Sequence, residues 1–117
     1  MINGKLSHFL DTGWYSESPL YYKGFVYWCE GYTDENIRKS VFFVDRWKAE
    51  CPDNEFYQEY KDSAGKLIGY ERIYEDTDSD FDVLKKRFLQ SAIFNVKSFW
   101  EIEKNLAWVD EGTPIYI

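Results

Sequence analysis

Three residue sets in this chain of 117 residues could do chemistry: one histidine, two cysteines and one dense run of carboxylates. A nucleophilic dyad needs a base held beside its nucleophile. The lone candidate base, His8, lies in an N-terminal stretch with no serine or cysteine motif around it, so acyl transfer is disfavoured and His8 reads as a surface residue. Cys29 and Cys51 have neither CxxC spacing nor companion cysteines, which removes the sequence basis for a disulfide framework or a zinc site. Cys29 lies in an apolar run and reads as a small buried residue, while Cys51 precedes Pro52 in a turn. Gly65-Lys66 lacks the earlier glycine of a phosphate loop, and no GxGxxG occurs. The expectation is a protein that is not an enzyme and carries no cofactor. A small enzyme or ligand-binding domain stays open only through a pocket holding several carboxylates or His8.

The carboxylate run is Glu75, Asp76, Asp78, Asp80 and Asp82. Its alternation is that of a calcium loop, but counting from Asp76 puts Phe81 where glycine belongs and Arg87 where the bidentate glutamate belongs. Negative charge at a helix start is favourable, which accounts for one or two of the five carboxylates. The remainder suit attraction of a basic partner. Glycosidase chemistry would need a carboxylate pair, and spacing selects none among 21 acidic residues. Aromatic residues make up 21% of the chain, as 5 Trp, 10 Tyr and 9 Phe. Most belong in a β-sheet core, and Tyr15, Tyr21, Tyr32, Tyr57 and Tyr74 are the candidates for exposure because they neighbour charges or turns. The candidate partner-binding set is therefore Glu75, Asp76, Asp78, Asp80 and Asp82 with Tyr74, Tyr57 and Tyr32.

The elements that must position these residues follow from periodicity. Leu20 to Glu30 is aromatic and β-branched and reads as a first strand, and the alternating Ile37 to Glu50 as a second. Glu55 to Lys61 and Leu67 to Glu75 read as the third and fourth, joined by a turn at Asp62 to Lys66 in which Gly65 supplies positive φ. Ser79 with Asp82 resembles a capping box that opens a helix over Asp80 to Ser91, and Ser98 with Glu101 opens another over Phe99 to Trp108. Lys5 to Leu10 reads as a short N-terminal helix, and Ile115 to Ile117 as a last edge strand. The expected fold is α+β: one domain over 1–117, an antiparallel meander of four to five strands with two C-terminal helices on one face. Leu20 to Glu30 is apolar on both parities, so the second face must be covered by Lys5 to Pro19 and the C-terminal tail, or be left partly for a partner.

The 14 basic against 21 acidic residues give a net charge of −7, which argues against nucleic acid as a direct ligand. Met1 to Trp14 has no basic and then apolar run of a secretory leader, and no apolar run approaches the ~20 residues of a membrane span, so a cytoplasmic chain is expected. An acidic surface interleaved with tyrosines suits the basic cleft of a nuclease, carboxylates standing where phosphates would and rings where bases would.

In the strand block LYYKGFVYWCE, the following VFFVDRWKAE, the acidic EDTDSDFD and the segment SFWEIEKNLAWV, the chain resembles the small acidic immunity proteins of bacterial polymorphic toxin systems, including those of contact-dependent growth inhibition. The resemblance implies a cytoplasmic antitoxin that binds the C-terminal domain of a cognate toxin, a basic protein and commonly a nuclease, and blocks its active site or substrate access. It carries over no binding residues. The alternative is an acidic nucleic-acid mimic or regulatory adaptor on a basic host protein. A monomer or a weak homodimer through an uncovered aromatic face is compatible with either.

Overall fold

β-branched and aromatic residues from Ser18 to Glu50 build the centre of an antiparallel sheet, and the helices gather against one of its faces. The computed structural model describes residues 1–51 and 58–109. In chain order these form α1 (Leu6–Asp11), a 3₁₀ turn (Gly13–Tyr15), β1 (Ser18–Tyr22), β2 (Phe25–Asp34), β3 (Lys39–Glu50), β4 (Gln58–Glu59), β5 (Glu71–Asp78), α2 (Phe81–Gln90), α3 (Phe99–Ile102), a 3₁₀ turn (Glu103–Asn105) and β6 (Ala107–Trp108). The sheet runs β4-β3-β2-β1-β6, with β5 also paired to β3, and every strand pair is antiparallel. The fold is α+β, as the periodicity indicates.

Strand register sorts the side chains into two layers. Leu20 opposite Tyr27, Cys29 opposite Val44 and Val44 opposite Tyr74 set one face. That face meets Phe9 of α1, Trp14, Leu84 and Phe88 of α2, and Phe99 and Ile102 of α3 in one buried cluster. Its centre is a group of rings: Phe42 lies 4.6 Å from Phe88 and 5.0 Å from Trp14 between centroids. Val26 opposite Trp47, Trp28 opposite Asp45 and Glu30 opposite Phe43 set the outer face. There Val26, Trp47 and Ala49 are buried against Tyr21, Trp28 and Leu67.

Several sequence-based boundaries are corrected. The expected strand Leu20 to Glu30 is two strands folded back at Lys23 and Gly24, whose φ values of 45° and 87° are those of a tight two-residue hairpin. The expected fourth strand begins only at Glu71. Before it, Leu67 to Tyr70 runs beside the edge of β3, turned by Gly69 at φ 74° and pinned by Ile68 N–H to Tyr60 O at 2.8 Å and Lys48 N–H to Ile68 O at 2.9 Å, and its Leu67 and Tyr70 side chains lean onto the outer face. Leu67 and Tyr70 cover the second face around Trp47, and Ile2 and Val109 pack beside Tyr21 further along it. Lys5 to Pro19, expected there, instead packs through Phe9 and Trp14 on the helical side. The turn Asp62 to Lys66 forms as expected, with Gly65 at φ 82° and the Asp62 carboxylate accepting from the amides of Ala64 and Lys66.

α2 is capped by Asp80 rather than Ser79, its carboxylate accepting from the Asp82 amide at 2.9 Å. The capping box at Ser98 and Glu101 is present, with the Ser98 amide donating to Glu101 Oε1 at 3.1 Å. Its helix stops at Ile102, since Ala107 and Trp108 pair with the free edge of β1 and that pairing overrides a helical repeat. Of the expected third strand, Gln58 and Glu59 are strand and the earlier residues lie outside the described ones, as does Ile115 to Ile117.

Truncating the central ring of this core tests the layer assignment. Phe88→Ala is expected to lower unfolding free energy by about 3–5 kcal/mol in urea titrations, because the surrounding rings cannot close the space.

Candidate protein-interaction face

The acidic run is drawn largely into the fold. Arg87, on α2, donates through Nη1 to both oxygens of Asp76 at 3.1 and 3.2 Å, and through Nη2 to Asp78 at 2.6 Å. Asp78 also accepts from the Asp80 amide, and Asp76 from the Thr77 amide. The Asp80 amide, and then Arg87, hold the Asp78 carboxyl below its ordinary range. Asp80 is the helix cap and Asp82 stands exposed in the first turn. Tyr74 is half-buried against Phe42 and Phe88. These residues form a corner that ties β5 to α2.

Glu75 belongs elsewhere. It pairs with Phe43 and shares the outer face with Tyr32, which lies opposite Val41 and 6.3 Å from the Phe43 ring. Of the eight expected partner-binding residues, the structure thus puts Tyr32 and Glu75 on the outer face and Tyr74, Asp76, Asp78, Asp80 and Asp82 at the corner. Tyr57 lies outside the described residues.

The outer face carries a continuous strip that the sequence reading did not assemble. Asp45, on β3, is buried, yet its carboxylate accepts from the Tyr70 hydroxyl at 2.6 Å and from Arg72 Nε at 2.9 Å. Arg72 stacks over the Phe43 ring with its guanidinium 3.9 Å from the centroid, and Tyr70 stacks on Trp47 at 6.0 Å and 17°. Trp47 in turn neighbours Trp28, whose indole N–H donates to Glu30 at 3.3 Å. A β-bulge between Val44 and Asp45 makes this possible by setting Arg72 opposite Asp45. Tyr70 is 54% exposed and Tyr32 47%, so the strip has a packed base and a solvent-facing surface.

Tyr, Trp and Arg on a supported base are the residue types that dominate protein interfaces. Glu30 and Glu75 frame them with negative charge. Of the tyrosines expected at the surface, Tyr32 is exposed, whereas Tyr15, Tyr21 and Tyr74 are half-buried. Tyr70 and Tyr60 are exposed instead. They sit either side of the Gly65 turn, and that proximity to a loop was the available signal.

The groups that could support catalysis are dispersed. His8 stacks on Trp108 at 5.5 Å and makes no hydrogen bond to a serine, cysteine or carboxylate among the described residues. Its groove, of about 410 Å³, is lined mainly by small polar residues and Glu17. Cys29 is fully buried, and desolvation pushes its thiol far above the ordinary value, away from the reactive thiolate. Among the described residues no group of three His, Cys, Asp or Glu could hold a metal ion, and no helix is long and apolar enough to cross a membrane. No family model, curated protein or solved structure matches the chain.

The hydrogen bond to Asp45, followed by partial burial, raises the Tyr70 phenol above its ordinary value of about 10. A phenol raised by folding contributes stability that is fully present below pH ~10 and is lost as pH climbs through the folded value. Tyr70→Phe is expected to cost about 0.5–1.5 kcal/mol at neutral pH, the worth of one hydrogen bond, since Arg72 still donates to both Asp45 oxygens. In an absorbance titration the same variant should show one late-ionising phenol fewer than the parent protein, in which Tyr27, Tyr60 and Tyr74 are raised as well.

Proposed function

We propose that this chain is an immunity protein, which binds the C-terminal domain of a cognate toxin and blocks its active site or substrate cleft in the cytoplasm. The observation that carries the reading is the outer-face strip: half-exposed Tyr32, Tyr70 and Arg72 on a packed Phe43–Asp45–Trp47 base, on a chain of net charge −7. Such a surface offers rings that bury area at small entropic cost and carboxylates that complement a basic cleft. A nuclease is the toxin class whose cleft has that charge, because it must hold a polyanion. The excess negative charge steers encounter, and the strip supplies the buried contacts that slow dissociation.

The test is co-expression with the product of the adjacent upstream gene. Growth rescue together with a co-purifying complex is the expected result, and neither rescue nor binding would refute the reading. A complex with a host protein in the absence of any toxin would favour the adaptor alternative instead.

Within the complex, replacing Tyr32 and Tyr70 together by Ala should weaken affinity about 10-fold or more, mostly through faster dissociation measured by surface plasmon resonance. Replacing Asp76, Asp78, Asp80 and Asp82 together by Asn should instead slow association and flatten its salt dependence.

A further inference from the structure

The groove of about 410 Å³ beside His8 lies where the corner between α1 and the following 3₁₀ turn meets the β1–β6 end of the sheet. Its volume falls in the range of roughly 300–1,000 Å³ that small-molecule sites occupy. Ser18, the first residue of β1, lines it. This residue is 3% exposed, and its hydroxyl makes no hydrogen bond among the described residues. The hydroxyl is not sealed in, so its one available partner is whatever enters the groove.

Trp108 forms another wall, and its orientation is fixed by what two glycines lack. A Cβ at Gly4 would lie 2.5 Å from Trp108 Cε3, and one at Gly13 would lie 2.5 Å from Cη2, so the backbone closes directly on the ring. His8 stacks on the same indole at 5.5 Å and 24°. Thr12, Ser16 and Glu17 add to the polar lining, Glu17 being exposed.

This lining selects its ligand by exclusion. No lysine or arginine lines the groove, so a phosphate or carboxylate would meet Glu17 and no fixed ammonium or guanidinium. A single exposed carboxylate is too well solvated to hold an ammonium ion. An apolar guest would strip water from the Ser18 hydroxyl and return nothing. A ligand hydroxyl both donates and accepts, so it can pair with Ser18, Thr12 or Ser16 whichever way each is turned. The flat His8–Trp108 pair suits the C–H face of a saturated ring.

We infer that this groove binds a small neutral polyhydroxylated ring, a sugar, with Ser18 as the buried hydrogen-bonding anchor and Trp108 as the wall. The site lies at the β6 end of the sheet on its helical side, away from the Tyr70 strip, and is independent of the toxin-binding reading.

The test is a nitrogen-15 NMR titration of the full chain with D-glucose, D-galactose and D-ribose, with choline chloride and inorganic phosphate as charged probes. Saturable shifts of the Ser18 and Thr12 amides and the Trp108 indole N–H with at least one sugar, and with neither charged probe, are expected. Ser18→Ala removes a hydroxyl that the fold does not use, so Tm should hold or rise while sugar affinity falls about 3-fold to 10-fold. Absence of saturable shifts with every sugar, or unchanged affinity in Ser18→Ala, would overturn the site. A lowered Tm would give the hydroxyl to the fold and remove the anchor. Saturation by choline or phosphate at the same signals would contradict the neutral class.

Discussion

The central β2–β3 hairpin is apolar on both faces, and the rest of the structure follows from the need to cover each of them. On one side the requirement is met by side chains from four separate elements, with Phe9, Trp14, Phe88 and Phe99 converging on Phe42 and its neighbours. On the other it is met thinly, by Leu67 and Tyr70 over Val26 and Trp47 and by Ile2 and Val109 beside Tyr21. The two solutions differ in kind. The helical side is a closed hydrocarbon interior, while the outer side is thin, and its outermost layer is itself made of rings and a guanidinium.

Asp45 explains why the thin side is ordered. A buried carboxylate is costly unless its lone pairs are satisfied, and here the phenol of Tyr70 and the guanidinium of Arg72 satisfy them from the covering strand and its approach. The same two partners then stack on Trp47 and Phe43, so one polar node fixes the orientation of four aromatic or cationic side chains. The result is a surface whose rings are held in place by the fold itself, the kind of preorganisation that would lower the entropy lost if the proposed partner binds there. The corner at Arg87 has the opposite character. Its carboxylates are engaged in holding β5 to α2.

Much of this was legible in the sequence. The strand block from Leu20 to Glu50, the turn at Gly65, the helix beginning near Asp80 and the cap at Ser98 all follow from local chemistry, as does the α+β class. Most of the errors come from competition between local preference and distant pairing. Phe99 to Trp108 has a helical stripe, but Ala107 and Trp108 gain more from the open edge of β1. The Lys23-Gly24 hairpin is different, a local turn whose glycine was in the sequence but lay inside an unbroken aromatic run. The outer-face strip depends on the bulge at Val44 and Asp45, which admits Arg72 opposite Asp45 and sends Ile73 to the inner core. No spacing in the sequence announces that exchange. Tyr32 and Glu75 were selected for their neighbours in sequence and share a surface because of register, whereas Asp76 and Asp78 face the helix for the same reason.

In the proposed immunity function the thin side of the sheet makes the decisive contacts, and the charge of the whole molecule guides encounter. Hydroxyl-radical footprinting of the chain alone and of the chain saturated with its toxin domain tests that division most directly. Strong protection of Tyr32 and Tyr70 in the complex is the result the account requires. Equal oxidation of both tyrosines in the free and the saturated protein would contradict it, and would place the binding surface on another part of the molecule.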